Sequence, residues 1–373
     1  MQSKKKKKVV YIISDIDQSI GFEWLADSLA ASLAVEATFI MLNSSRPKLI
    51  TVFEEKGFEA VFIQCAGKKD WPKCLFLLIQ NIKRIRPDIV HCHLRQANIL
   101  GLTAAFIAGI KRRIYTRHHS TYHFEYFPGG VKWDKYVNRL STDIIAISPN
   151  VKDVLMKCEK VPAKKIHLLP HGFKLEQFKD VEPERALQVR NKYGIFGKPV
   201  IGVISRLEEL KGIQYVIPAF RKILKDYPNA QLVIANAIGD YKQKIEEMIE
   251  PIASSVKLVR FEPDIAALYQ CFDVFLHVPI SRDCEAFGQT YVEALASGIP
   301  SAFTLSGIAP LFIRHLENAI VVEFRSEESI EQAIRILLTD GPLRQHVVDN
   351  GRAAIQEFSF EKHYHMLEQI YIS

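Results

Sequence analysis

Cys284-Glu285-Ala286-Phe287-Gly288-Gln289-Thr290-Tyr291-Val292-Glu293-Ala294-Leu295-Ala296-Ser297-Gly298-Ile299-Pro300 is the stretch whose reading decides the fold. Gly288 stands before a run of helix formers, and Gly298 with Pro300 ends it, so the stretch predicts a loop, a short helix and a turn. Apolar runs flank it, Val274–His277 before and Pro300–Thr304 after, and each predicts a strand. Strand, helix and strand at this spacing make a βαβ unit, whose strands lie parallel in one sheet.

Working outward, the same alternation fills the chain. Upstream in the second half, Val200–Ser205, Gln231–Ala235 and Val256–Val259 predict strands, and Ala319–Val322 adds one downstream. The first half repeats the pattern with Val9–Ile13, Ala37–Leu42, Ala60–Gln64, Ile89–His93, Arg113–Thr116 and Ile144–Ser148, with helical stretches such as Phe22–Leu33, Leu75–Ile85 and Ala97–Ala108 between them. A polar connection, roughly Asp180 to Lys198, separates the halves. At 373 residues the chain exceeds what one hydrophobic core usually serves. The expectation is therefore α/β: two Rossmann-like, doubly wound domains, residues 1–180 and 181–355, with a terminal helix over 356–373. Ligands bind such sheets at the carboxyl ends of their strands, so a cleft between the two domains is the expected site.

The deciding stretch also carries chemistry. Glu285 falls in the loop before the helix and Glu293 within it. A helix N-terminus offers unpaired N–H groups and a positive dipole end to an anion. Carboxylates around it suit hydroxyl donors better than phosphates, which they repel. Hydroxyl-rich rings flanking a diphosphate, as in a sugar nucleotide, have that polarity. Ser205-Arg206-Leu207-Glu208-Glu209-Leu210-Lys211-Gly212 supplies cations directly after a strand. Arg206 can fork onto phosphate oxygens and Lys211 adds a point charge. The two would steady a departing nucleoside diphosphate without Mg²⁺.

These residues resemble the retaining glycosyltransferase family 4, whose members have the GT-B fold. The glutamates separated by seven residues, Glu285 and Glu293, are similar to that family's donor-binding signature, and Arg206 with Lys211-Gly212 to its diphosphate-binding pair. Similar segments run along the chain: Arg86-Pro87-Asp88-Ile89-Val90-His91-Cys92-His93, Tyr115-Thr116-Arg117-His118, Ile147-Ser148-Pro149-Asn150-Val151, and Lys165-Ile166-His167-Leu168-Leu169-Pro170-His171-Gly172-Phe173. The resemblance covers nearly the whole chain. It implies that Glu285 bonds hydroxyls of the transferred sugar, that Glu293 bonds the ribose, and that backbone amides near Phe287 and Gly288 touch sugar or phosphate. It implies further that His118 lies beside the anomeric carbon, although His119 next to it leaves that assignment open. Gly21, in Ser19-Ile20-Gly21-Phe22-Glu23, falls where the family has a glycine-rich loop near the phosphates. The family often has two adjacent glycines there and this chain has Ile20-Gly21. His277-Val278-Pro279-Ile280-Ser281 stands where Pro-Ser is commoner, which leaves His277 without an inherited role. The terminal helix is expected to pack back on the first domain.

The activity so implied is transfer of a sugar from a nucleoside diphosphate sugar to the hydroxyl of a glycan, lipid-linked or small-molecule acceptor, with no cofactor and no metal. His91 and His93 alternate on a strand, but no third ligand at characteristic spacing completes a zinc site. A dinucleotide-dependent oxidoreductase would carry Gly-x-Gly-x-x-Gly after the first strand, and Asp15-Ile16-Asp17-Gln18-Ser19-Ile20-Gly21 lacks it. A non-catalytic relative that binds nucleotide sugars is the alternative, and the presence of Arg206, Lys211, Glu285 and Glu293 argues against it.

Composition narrows the setting. Hydrophobic residues at 48% and charged residues at 24% are ordinary for a soluble globular protein. The net charge of +7 is mostly the run Lys4 to Lys8; without it +2 remains. That argues against nucleic acid as a partner, and leaves a solvated tail or peripheral contact with an anionic membrane surface. The apolar run after the lysines ends at Ile13, too short for a secretory signal. Ile99 to Ile110 is too short to span a bilayer and predicts a buried helix. Trp71-Pro72-Lys73-Cys74, after Lys68-Lys69, reads as a basic aromatic patch for a membrane surface or as the start of a helix burying Leu75, Leu78, Ile79 and Ile82. Six cysteines without paired spacing fit a reducing, cytoplasmic compartment.

Overall fold

The computed structural model describes residues 6–373. Lys4 and Lys5 of the lysine run lie outside the described residues. The chain divides into two units, one running to Phe173 and taking in Phe360–Ser373, the other Lys174–Ser359.

The first unit is built on a parallel sheet of seven strands: β1 (Lys7–Ser14), β2 (Val35–Asn43), β3 (Glu59–Gln64), β4 (Ile89–His93), β5 (Arg112–Arg117), β6 (Asp143–Ala146) and β7 (Ile166–Leu168). They lie in the order β3-β2-β1-β4-β5-β6-β7. β1 is buried from Val9 onward, and β4 throughout. Central strands of a parallel sheet are covered on both faces, which is why they read as unbroken β-branched runs.

The second unit repeats the design with β8 (Val200–Ile204), β9 (Gln231–Ala235), β10 (Val256–Val259), β11 (Val274–His277), β12 (Ser301–Phe303) and β13 (Ile320–Val321), ordered β10-β9-β8-β11-β12-β13. Its core gathers Ile201, Val203, Leu232 and Ile234 from the sheet, and Val216, Phe220, Ile330 and Leu337 from helices packed on it. In both sheets the winding reverses beside the first strand, between β1 and β4 and between β8 and β11. Doubly wound folds bind ligands beyond the strand ends at such a reversal.

The structure moves several expected boundaries. The units part at Phe173 and not at residue 180, because the turn Leu175–Phe178 buries Phe178, whose ring lies 6.4 Å from Tyr269 of the second unit. The final helix is Phe360–Ile372, since Phe358 stays with Phe287 and Phe312, at 6.1 and 4.9 Å between ring centroids. That helix is part of the first unit: Phe360 packs on Trp24 at 5.7 Å, and the Tyr371 hydroxyl donates to Tyr11 at 2.8 Å. The connection expected to be irregular holds a helix, Pro183–Tyr193, which buries only Val189 and ends on left-handed Gly194. So thin an apolar stripe carries no visible period. The helix Trp71–Ile85 buries Cys74, Leu78 and Ile82, with Leu75 and Ile79 only partly covered. Among the described residues no helix is long and apolar enough to cross a membrane. All six cysteines are free.

Candidate functional site

In the second unit, the chemistry gathers at the winding reversal. Beyond β8 the backbone makes a 3₁₀ turn, Glu209–Lys211, and then left-handed Gly212 starts the helix Ile213–Asp226. Beyond β11 a loop leads to left-handed Gly288 and the helix Gln289–Ala296. The Ile280 amide donates to the Leu210 carbonyl at 3.0 Å and ties the two loops together. Gly212 permits that approach: a Cβ there would stand 1.9 Å from the Val278 carbonyl oxygen.

This tie brings Lys211 to Glu285. The ammonium donates to Glu285 Oε1 at 2.6 Å, and His277 Nε2, at the end of β11, lies 3.2 Å from the same oxygen but off the line of a hydrogen bond. Behind it the Glu285 amide donates to Ser306 Oγ at 3.2 Å. Burial alone would raise the Glu285 carboxyl, but the Lys211 charge and His277 outweigh it and hold the group at about 2. Burial lowers His277 despite Glu285 beside it, so the imidazole is neutral at pH 7. The site thus presents an ionised carboxylate and an ammonium, each already partnered, next to a helix N-terminus.

Glu293 lies on that helix, accepting from the Tyr269 hydroxyl at 3.0 Å. Burial raises its carboxyl to about 7, with the Tyr269 bond pulling the other way. It is part-exposed and carries no cation. Arg206 stands apart from this group. Its side chain is 56% exposed and pairs with Glu208 at 2.7 Å, whereas Lys211 is only 13% exposed. The structure therefore unites Lys211 with Glu285 and leaves Arg206 on the surface. The Phe287 side chain is core, and its carbonyl accepts from the Ile308 amide at 3.0 Å. Left-handed Gly288 caps the helix, where a side chain would meet Tyr291.

Gly21 is not in a loop. It is the second residue of the helix Ile20–Ala31, and an added Cβ would meet only Ser19 Oγ, at 3.9 Å. The Ser19 carbonyl starts that helix early by accepting from the amides of Phe22 and Glu23.

In the first unit the adjacent histidines separate. His118 Nε2 lies 3.3 Å from His93 Nδ1, and its ring stacks on His171 at 5.6 Å. Burial, with His93 and His119 near, pushes it down to about 3, so it too is neutral. His119 turns to Asp134, 3.3 Å away, which also meets His123 at 2.6 Å. His91 is occupied by Tyr371 at 2.6 Å and Thr116 at 2.9 Å, and so is no metal ligand. Among the described residues, His119, His123 and Asp134 are the group whose ligand atoms come within 4.8 Å of one another. The Arg117 guanidinium already contacts both Asp134 oxygens, at 3.0 and 3.2 Å, and stands where a metal ion's charge would have to compete.

Sequence reasoning set at least one of His91 and His93 in a wall of the acceptor cleft, and gave no role to His277 or His171. Each ends or follows a strand, which was the only available signal.

The model of Glycosyl transferases group 1 matches residues 187–354, and that of Glycosyltransferase Family 4 matches residues 25–177. The capsular polysaccharide biosynthesis glycosyltransferase CapM of Staphylococcus aureus is 27% identical over 311 residues, covering 80% of each chain. Among solved structures, Anabaena HepE in complex with UDP and glucose matches with a TM-score of 0.82 at 18% identity, over 98% of this chain and 99% of that one. A glycosyltransferase from Rickettsia africae matches at 0.79 and 20% identity, over 99% and 98%. These likenesses carry the GT-B architecture of two parallel-sheet Rossmann-like domains.

Proposed function

Because the chain belongs to the group 1 glycosyl transferases of family 4 and is an enzyme that uses a nucleotide sugar, we propose that it transfers the sugar to an acceptor hydroxyl with retained anomeric configuration and without a metal ion. The observation that carries this reading is the buried Lys211–Glu285 pair beside the N-terminus of Gln289–Ala296. Glu285 accepts hydrogen bonds from the hydroxyls of the transferred sugar. Lys211, anchored by Glu285, faces the diphosphate, and Arg206 swings from Glu208 to join it. Glu293 takes the ribose hydroxyls. The bond from the anomeric carbon to the phosphate oxygen breaks as the acceptor oxygen bonds on the same face, and the acceptor proton passes to the departing phosphate. Lys211 and the helix N-terminus stabilise the charge that develops there. His118, neutral, is the first-unit side chain assigned to the reacting sugar. The acceptor is a glycan, a lipid-linked sugar or a small molecule.

Nucleoside diphosphate release from a panel of UDP-, GDP-, ADP- and TDP-sugars tests the reading, with product configuration read by anomeric proton NMR. Turnover is expected to survive EDTA. Abolition by EDTA with recovery on Mg²⁺ or Mn²⁺, or an inverted product, overturns the mechanism.

Glu293 gives a pH test. Ribose hydroxyls donate, so they bind the ionised carboxylate, and below about 7 the free enzyme holds the proton. Nucleoside diphosphate affinity is expected to rise about tenfold from pH 6 to pH 8 as the group ionises. Calorimetric titration across that range should show the rise in the native enzyme and lose it in Glu293→Gln, which also corrects for titration of the phosphate. Parallel curves for the two proteins would remove Glu293 from the ribose site.

A further inference from the structure

The first unit is far more basic between residues 68 and 140 than the chain is elsewhere. That stretch holds fourteen lysines and arginines against four acids, a net +10 in a chain whose total is +7. All other residues, the run Lys4 to Lys8 included, therefore sum to −3. Apolar exposure gathers in the same place. Of the twenty large hydrophobic side chains exposed among the described residues, eight fall between Phe76 and Tyr136. Single exposed hydrophobics are ordinary, but a cluster of them marks a contact surface.

The fold puts this cluster on one surface. Right-handed crossovers from β3 to β4, β4 to β5 and β5 to β6 carry the helices Trp71–Ile85, Arg95–Ile107 and Val131–Leu140 to one face of the sheet, where they pack side by side. Along Val131–Leu140 the exposed positions are Lys132, Lys135, Tyr136 and Arg139, a stripe at helical spacing. The Tyr136 hydroxyl lies 2.9 Å from the Thr103 hydroxyl, which brings that stripe against Arg95–Ile107. Ile107 is one turn beyond Thr103, so it and neighbouring Phe106, 53% and 58% exposed, continue the surface. Toward the other end of that helix, about 18 Å away at 1.5 Å per residue, the Arg95 guanidinium lies over the Phe127 ring at 4.8 Å. The patch expected at Trp71 is not its centre: that ring is half-buried, edge-on to Trp133 at 5.5 Å.

The side chains select the partner. Cations interleaved with rings match an anionic bilayer, whose phosphates lie outside the acyl boundary and whose headgroup level accepts aromatic rings. A nucleic acid also takes cations and rings, but it needs ring faces open for stacking. Here Phe127 already lies against Arg95, and Phe106 against Arg113 at 5.5 Å.

We propose that this face, from Phe127 to Ile107, docks the protein on an anionic phospholipid bilayer. The exposed lysines and arginines meet the headgroup phosphates, and Phe106, Ile107 and Tyr136 seat among the headgroups. The docking rests on charge and exposure within the first unit and not on the transferase reading.

Co-sedimentation of the full chain with lipid vesicles tests it. Vesicles of phosphatidylglycerol and phosphatidylcholine in equal parts are expected to carry the protein down, and vesicles of phosphatidylcholine alone are not. Raising NaCl to about 0.5 M should weaken the binding, because salt screens exposed charges. Phe106→Ser with Ile107→Ser removes two apolar anchors, and Lys132→Glu with Lys135→Glu reverses two charges. Each double variant should bind about tenfold more weakly or worse, with the circular dichroism spectrum of the native chain. The two pairs lie on different helices, so a folding failure in one leaves the other to decide. Changing Lys4 to Lys8 all to Gln should leave most of the binding in place. Absence of sedimentation, equal binding to both vesicle types, or loss of binding in the Lys4 to Lys8 variant while both double variants keep it overturns the proposal. Tighter capture of a mixed-sequence RNA oligonucleotide than of the anionic vesicles overturns it as well.

Discussion

Lys211→Ala is expected to slow sugar transfer by about two to three orders of magnitude, the scale for removing one preorganised donor from a developing oxyanion. Two losses add in this variant. The departing diphosphate loses its least exposed cation, and Glu285 loses the 2.6 Å partner that holds its carboxyl at about 2. With that charge gone, burial dominates and the carboxyl rises toward protonation, so it stops accepting from sugar hydroxyls. The acid limb of the rate profile should therefore move to higher pH in Lys211→Ala. Steady-state rates against pH, with donor saturating, check both parts. A rate within threefold of native, or an unmoved acid limb, would strike Lys211 from the mechanism. Arg206→Ala should cost less, because Arg206 is solvent-facing and bound to Glu208.

Gly212→Ala is the second large effect, and it falls on folding. The residue has φ +77°, and the new Cβ would lie 1.9 Å from the Val278 carbonyl oxygen. Backbone faces backbone there, so no side chain can swing away. The left-handed conformation costs about 1–2 kcal/mol for an L residue, and separating the loops also puts the Ile280–Leu210 hydrogen bond at risk, on the order of 1 kcal/mol more. A loss of about 2–4 kcal/mol is expected, read as a lower urea midpoint with the slope unchanged. Gly21→Ala is the control, since only Ser19 Oγ comes near its Cβ. Equal stability of the two variants would show that the loop tie at Gly212 is not what holds the site.

Much of the architecture was legible because buried parallel strands are written as local apolar runs. Twelve of the strands could be located from such runs; β7, three residues at the sheet edge, could not. The helix Pro183–Tyr193 was missed for the related reason that one buried valine makes no pattern. At the site, Glu285, Glu293 and Lys211 could be named from their places around strands and helix starts. Their partners could not. Lys211 meets Glu285 across 74 positions of sequence, and only the hydrogen-bonded loops beyond β8 and β11 reveal it. The neutrality of His277 and His118 is likewise a property of burial, which no spacing rule expresses. Arg206 could be named in the same way, but its 2.7 Å ion pair with Glu208 could not be read from its place after a strand.

The docking of Phe360–Ile372 through Trp24, Tyr11 and His91 has a consequence for the order in which the protein is made. Residues 174–359 are one uninterrupted piece, so the second unit needs no segment from elsewhere in the chain to close. The first unit, begun earlier, lacks the helix Phe360–Ile372 until that segment emerges, and the buried hydroxyl of Tyr11 waits that long for Tyr371. The half begun first is completed after the second has been made, and a nascent chain stalled before residue 360 would leave Trp24 and Tyr11 without Phe360 and Tyr371.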